Sequence, residues 1–533
     1  MLRAPASFFT LLIVTLCSRA FGQSFIPDPS FSDDGLVVQE EAGGTKWITS
    51  AMTLCSDGGI ATASRISRNG AYSIAISRYT HTGEPLVEFG QNGVVEIPFG
   101  AIGANASALI ERPDGKLDVV CTNFVTGGVL ALFVVQLLPD GDLDPAWGQE
   151  GIANHLFTGG SAFMDIALRP TGELIIGGTV SGEMVAVQFN NMGQLDAEFG
   201  IQGLATLGIP GRSVAAMCLA LAPSGNLYLG GFRYQGSDAA AWAFGGMDPT
   251  GDPLEYFGSN GVVVIDNVAD NAALPTNAQE MVASMTLDVQ NNIYFGASVA
   301  LTYGDERGAI GKLLPDGSLD AAFATNGVLM FRPDTTRRVT CTGIFFEPTG
   351  QVIGIAEECQ GGGCRKLLLR TDLAGNILDP EINGGITRDF APLGANSYSM
   401  SYATALTPQG RLMFAGAISE SPFHRSVVKA FVVNQQLTTN VEPLPPLGSS
   451  YLLAPNPCTG SFVLVGNGRE GTVRVMHLFD GRGALVADYS DQAREANPQA
   501  GTTYQLPART APGLYQLVLT DSAGRTSLLV VVE

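Results

Sequence analysis

The sequence predicts an all-β chain, a seven-bladed β-propeller followed by a small C-terminal β-sandwich, on three observations. A short anchor of a turn, a Leu-Asp pair, an aromatic and a glycine recurs along most of the 533 residues, as in residues 313–327. Each interval between anchors carries four short apolar runs separated by tight turns, the make-up of a propeller blade. The composition agrees: 45% of residues are apolar, only 15% are charged and 66 are glycine, which suits short strands covered on both faces.

The N-terminal residues 1–22 read as a secretory signal. Arg3 gives a basic start, residues 8–17 give an apolar core too short to span a bilayer, and Ala20-Phe21-Gly22 is a small-x-small cleavage site. Leu16 stands before Cys17 where a lipoprotein signal requires a small residue, so a lipid anchor is not expected. Residues 129–138 form the longest later apolar run, which is too short for a transmembrane helix.

The propeller is expected over residues 23–437. Its anchor aromatics are Phe31, Phe89, Trp147, Phe199, Phe257 and Phe323, with Ile382 in a degraded seventh copy, and successive ones lie 52–66 residues apart. A second turn of the type Pro-x-Gly follows each anchor, as in Pro113-Asp114-Gly115 and Pro223-Ser224-Gly225. Asn291 replaces its glycine once, which fits because Asn tolerates the left-handed backbone of such a turn. In the fourth unit the strands fall at residues 214–220, 227–232, 239–245 and 261–265. A parallel β-helix is disfavoured, since its coils are much shorter and need no hairpins. The seventh unit lacks a fourth strand, while residues 35–39 form a spare one at the N-terminus. Leu36, Val37 and Val38 are therefore expected to pair into the last blade and close the ring.

Two further segments complete the chain. Residues 438–452, with Glu442-Pro443-Leu444-Pro445-Pro446, read as a linker. Residues 453–533 hold six short alternating runs, the pattern of a small β-sandwich.

Two family resemblances rest on these residues. Residues 112–117 (Arg-Pro-Asp-Gly-Lys-Leu) and 195–203 (Leu-Asp-Ala-Glu-Phe-Gly-Ile-Gln-Gly) make the repeat resemble the delta-60 repeat of secreted bacterial proteins, a family defined by its repeat and not by a reaction. Ala454-Pro455-Asn456-Pro457, then residues 473–483, then Ala511-Pro512-Gly513-Leu514-Tyr515, then a final apolar strand, make the C-terminal part resemble the Por sorting domain of type IX secretion cargo in the Bacteroidetes. That resemblance implies passage through the periplasm, contact with the type IX machinery, and either release or attachment at the cell surface. Thr526-Ser527 stand where such domains commonly carry a Lys before the last strand.

Chemistry is sparsely signalled. The formal net charge of -21 argues against nucleic acid or an anionic lipid surface as partner and favours a soluble monomer. His81, His155, His424 and His477 fall at unrelated offsets. Asp140, Asp142 and Asp144 alternate as carboxylates that a calcium ion can use, although Asp140 and Asp144 are also anchor residues; no other cofactor is expected. Signal removal leaves seven cysteines, of which Cys359 and Cys364 bracket a Gly-rich loop and form the expected disulfide. Cys55, Cys121, Cys218 and Cys341 lie in apolar strand patterns and are expected to be free. Trp47 and Trp242 are core candidates that could stack on sugars if exposed, and Asn105-Ala106-Ser107 matches a glycosylation acceptor. No catalytic residue is assigned. Glu357 and Glu358 lie beside the Cys359–Cys364 loop, Arg337 and Arg338 precede the first strand of the same blade, and these four are the candidate binding surface. The expected function is a non-catalytic, exported binding or adhesion scaffold for an extracellular glycan or protein. The alternative is a secreted propeller enzyme, a glycoside hydrolase, lyase or quinone-dependent dehydrogenase, with its site at one mouth of the channel.

Overall fold

The computed structural model describes residues 25–28, 30–39, 46–100, 103–125, 129–157, 161–235, 238–266, 280–302, 305–347, 350–360, 363–378, 386–388, 398–420 and 423–433, and, towards the C-terminus, 451–454, 461–466, 475–479, 485–495, 502–507, 510, 513–521 and 524–532. The expected signal (1–22), Ile382, most of the linker, Cys458 and parts of three sorting motifs lie outside them. No helix among the described residues is long and apolar enough to cross a membrane.

Strand β1 (Phe25–Pro27), a helical turn α1 (Ser32–Gly35) and β2 (Leu36–Gln39) come first. Antiparallel groups then follow in chain order. The first comprises β3 (Lys46–Leu54), β4 (Ile60–Arg68), β5 (Ala71–Tyr79) and β6 (Val94–Gly100); the second β7 (Ala104–Glu111), β8 (Leu117–Val125), β9 (Val129–Leu137) and β10 (Ile152–Phe157). The third holds β11 (Ser161–Leu168), β12 (Leu174–Val180), β13 (Glu183–Phe189) and β14 (Leu204–Leu207); the fourth β15 (Val214–Leu221), β16 (Leu227–Gln235), β17 (Asp238–Met247) and β18 (Val262–Ile265). The fifth holds β19 (Met281–Leu287), β20 (Ile293–Thr302), β21 (Asp305–Leu313) and β22 (Val328–Phe331); the sixth β23 (Arg338–Phe346), β24 (Val352–Gln360), β25 (Gly363–Thr371) and β26 (Ile386–Arg388). The last comprises β27 (Tyr398–Leu406), β28 (Arg411–Glu420) and β29 (Phe423–Val433), and β29 pairs antiparallel with β2, Leu36 opposite Lys429 and Gln39 opposite Ser426. The first strand of every group carries a β-bulge at the same place, for example between Thr49 and Ala51 and between Cys341 and Gly343.

Neighbouring groups share buried apolar clusters. Ile74 and Phe89 of the first meet Leu117 and Val135 of the second. Trp147 of the second meets Phe163 and Leu174 of the third, and Met184 and Phe199 of the third meet Leu227 and Leu229 of the fourth. Trp242 and Phe257 then meet Ile293 and Phe295, and Tyr294 and Phe323 meet Val339 and Phe346. Ile353 and Leu368 of the sixth group meet Phe414 and Phe431 of the last, whose Met413 and Val428 meet Ile60, Tyr79 and Phe31.

The recurring anchor turns out to be a clip between groups. All six described anchor aromatics are buried. The residue after each one (Ser32, Gly90, Gly148, Gly200, Gly258 or Ala324) donates its N–H to a turn carbonyl of the next group, at Thr82, Asp140, Met192, Thr250, Asp316 or Ala374, over 2.7–3.1 Å. The aromatic sits beneath the glycine of that same turn: a Cβ added at Gly193 would lie 2.8 Å from the Trp147 ring. The donating residue is left-handed in every copy, with φ between 46° and 59°. Four copies meet this with glycine, whereas Ala324 carries a Cβ at φ 46°, a conformation costly to L-residues. Ala324→Gly is expected to stabilise the protein by about 0.5–1 kcal/mol, read as a raised denaturation midpoint.

Towards the C-terminus, β30 (Tyr451–Ala454), β31 (Ser461–Gly466), β32 (Val475–Phe479), β33 (Leu485–Asp488), α2 (Ser490–Glu495), β34 (Thr502–Gln505), β35 (Gly513–Asp521) and β36 (Gly524–Val532) form a three-stranded sheet, β30-β31-β34, and a four-stranded sheet, β33-β32-β35-β36. Phe462, Leu464 and Tyr504 of one share a buried cluster with Met476, Leu478 and Leu517 of the other. Val518 and Leu485 join the cluster between the fifth and sixth groups.

Candidate functional site

The topology gives the groups two unlike ends. One end holds the turns between first and second strands and all the anchor clips, so it repeats nearly the same backbone hydrogen bonds from group to group. The other holds the connections between second and third strands and those between groups, which differ in length and sequence. Specific chemistry is therefore sought there.

Among the described residues, a dense polar constellation at that end lies where β20 turns into β21, β22 leads to β23, and β24 turns into β25. Arg307 grips Asp305 with two hydrogen bonds, Nε to Oδ1 at 2.9 Å and a terminal nitrogen to Oδ2 at 2.7 Å. Arg332 adds a third, to Oδ1 at 2.9 Å, and donates its Nε to the Arg337 carbonyl at 2.9 Å. Hydrogen bonding from Arg307, joined by Arg332, holds the Asp305 carboxyl below the ordinary carboxylate range against the opposing effect of burial. Arg337 pairs with Asp334 at 3.2 Å, and Asp334 also accepts from the Thr336 amide and hydroxyl. These bonds fix the segment that delivers Arg338 to the start of β23. Arg338 is 59% exposed, and a guanidinium nitrogen lies 3.6 Å from Oε2 of Glu306. Burial pushes the Glu306 carboxyl up, and Arg338 and Arg332 only partly oppose it.

The sequence-derived surface is only partly brought together. Arg337 and Arg338 belong to this constellation, but Glu357 and Glu358 are neighbours on β24, and successive strand side chains take opposite faces. Glu357 pairs with Lys366 at 2.6 Å, whose Nζ lies 5.8 Å from the centre of the Phe414 ring in the last group. Glu358 is wholly buried opposite Val339. Cys359 is disulfide-bonded, and the register sets Cys364 directly opposite it. Sequence reasoning missed Asp305, Glu306, Arg307, Arg332 and Lys366. The signal available was a concentration of charge at strand ends in a chain otherwise poor in it.

The carboxylates of Asp140 and Asp144, and the backbone of Asp142, are engaged in scaffold contacts. Asp140 Oδ1 accepts the Asp142 amide, while Asp144 accepts the Ala146 amide and pairs with Lys116 at 2.9 Å. No group of three or more His, Cys, Asp and Glu among the described residues is placed to hold a metal ion. Cys55, Cys121, Cys218 and Cys341 are free and buried, and burial raises each thiol well above its ordinary range, to about 12 at Cys121 and Cys341. Trp47 and Trp242 are buried, and the Trp242 indole donates to the Ser298 carbonyl at 2.7 Å.

A second polar feature belongs to the scaffold. Asp118 is wholly buried in β8, paired with Arg112 and accepting a 2.7 Å hydrogen bond from Gln136, and Arg112 also reaches the Gly172 carbonyl of the next group at 2.9 Å. Burial raises the Asp118 carboxyl despite those partners.

No curated protein matches this sequence. Among solved structures, the chain is similar to the polysaccharide lyase Uly1 (TM-score 0.43, 10% identity, 72% of this chain and 90% of that one). It is likewise similar to an ulvan lyase of polysaccharide lyase family PL25 (TM-score 0.42, 10% identity, 75% and 96%). A protein of unknown function from Dyadobacter fermentans is similar at TM-score 0.36 and 10% identity over 75% and 98%. Likenesses this loose assign neither substrate nor activity. The family described as "Domain of unknown function (DUF5122) beta-propeller" matches residues 112–146, the segment bearing the Arg112–Asp118–Gln136 clamp and the Asp144 anchor, and the fold of this chain is a β-propeller.

Proposed function

We propose that the protein is an exported, seven-bladed propeller carrying a type IX sorting sandwich, and that it serves as a non-catalytic binding or adhesion scaffold outside the cell. The pairing of β2 with β29 and the packing of the last group on the first support a ring closed by the N-terminal strand. The two C-terminal sheets around one core support a sandwich over residues 453–533, with β30 starting just ahead of it at Tyr451. Cys359 and Cys364 are taken as one bridge, tightening the hairpin beside the polar constellation.

One observation carries the binding reading. The guanidinium and carboxylate groups at Asp305, Arg307, Arg332 and Arg337 lock one another in place, a rigid support that presents Arg338 to solvent. Preorganised polar groups of this kind suit recognition. Glu306 favours the enzyme alternative, because a carboxyl that resists ionisation beside an exposed cation is also a general-acid arrangement. A glycan array with product analysis separates the two: binding with intact chains is expected, and shortened or unsaturated products would assign an enzyme. Replacing residues 453–533 with a tag should strand the protein in the periplasm; its continued appearance outside would overturn the secretion assignment.

A further inference from the structure

We infer that the Arg338–Glu306 pair is a proton-linked site for an isolated carboxylate or sulfate group borne on an otherwise neutral saccharide, an inference that rests on the binding reading above and names the ligand's chemistry.

The geometry separates two kinds of arginine. Arg332 is held by Asp305 and by backbone carbonyls, Arg307 by two hydrogen bonds to Asp305 and Arg337 by one contact to Asp334, and all three side chains are less exposed than that of Arg338. Among the described residues Arg338 is held by one long contact, to Glu306, and its side chain is largely exposed at the start of β23. A planar guanidinium with open donors binds an oxyanion in two parallel hydrogen bonds, stronger than one contact at 3.6 Å.

Glu306 makes the exchange depend on protons. It is mostly buried, with Ala300 opposite it on β20, Asp305 and Arg307 beside it on β21, Arg332 beyond β22, and Arg338 on β23 as the described charged neighbours. When a ligand oxyanion takes Arg338, Glu306 loses its nearest cation and gains a nearby negative charge. Both effects favour the neutral carboxyl, so Glu306 takes up a proton as the anion binds. Affinity therefore rises as pH falls through the Glu306 titration.

The whole-chain charge limits the ligand further. At a net charge of -21 the protein repels dense polyanions at long range. A single acidic group amid neutral sugars incurs little of that repulsion yet meets the same local contact.

Calorimetry on the full chain tests this with three probes of equal length: an oligosaccharide with one uronate, the same with one sulfate, and the neutral parent, each at pH 5 and pH 8. Tighter binding of the uronate or sulfate probe than the parent, by about tenfold and more at pH 5, is expected. Whichever acidic probe responds identifies the oxyanion source. Glu306→Gln, which mimics the protonated carboxyl, should bind with the acid-form affinity at both pH values, and Arg338→Ala should reduce the acidic probe to the level of the parent. Equal binding of all three probes, or a pH response that persists in Glu306→Gln, overturns the proton-linked site and leaves the scaffold reading standing. Binding of none of them overturns the site, and if the wider array is also blank the scaffold reading falls with it.

Discussion

Deletion of residues 24–40 is expected to lower the denaturation midpoint and to drive the protein into soluble aggregates. The segment contributes at two levels. Phe31 is buried between the last group and the first, and the ring lies under Gly83. Emptying that site alone costs about 3–5 kcal/mol, the range for a buried Phe reduced to Ala. Arg411 is bound entirely through this junction: to Asp28, to the Ser30 hydroxyl at 2.8 Å and to the His81 carbonyl at 2.7 Å. Removing the segment also bares the edge of β29 along Ser426 to Lys429, a template for pairing with a second chain. Scanning calorimetry with light scattering reads both effects. Phe31→Ala isolates the first, since it should lower the midpoint without promoting aggregation. A deletion that melts like the full chain and stays monodisperse would show that β2 closes nothing.

The second large effect is expected at the polar clamp of the second group. Arg112→Ala leaves Asp118 wholly buried with only Gln136 to accompany it, and severs the bond to the Gly172 carbonyl. Breaking one partner from a buried pair costs about 3–5 kcal/mol, far more than the net worth of the intact pair. The sign with pH follows from Asp118. Burial already raises its carboxyl, and losing Arg112 raises it further, so the folded variant prefers the neutral acid. The deficit is therefore full above the Asp118 titration and shrinks as pH falls through it. Denaturant midpoints at pH 7 and pH 4 measure this, and Arg112→Met with Asp118→Asn should recover most of the loss. Equal deficits at the two pH values would locate the damage elsewhere.

Much of the strand order was legible because the repeat is written in residues that the backbone geometry demands. Glycines at positive φ, such as Gly141 and Gly193, mark turns regardless of surroundings, and the aromatic at each anchor has a single buried role. What could not be read was the partner of that aromatic. Trp147 belongs by sequence to the second group, yet it packs beneath Gly193 of the third, a contact that exists only once neighbouring groups are stacked. The site was less legible for the same reason. Glu357 and Glu358 adjoin in sequence but strand alternation parts them, whereas Arg338 and Glu306 meet from different groups. Cys359 and Cys364 stand opposite each other in the strand register because the hairpin joining them is local.

The pairing of β2 with β29 also sets an order in time. Leu36 emerges early in synthesis and its partner Lys429 emerges late, so this early-made strand has no edge to join until nearly all the rest exists. Local meanders such as β15 to β18 form from contacts close in sequence, but this one must join strands from opposite ends of the array of groups. The completing step of folding is thus expected to be the slowest, and a chain interrupted before β29 would hold assembled groups with their first strand still unclaimed.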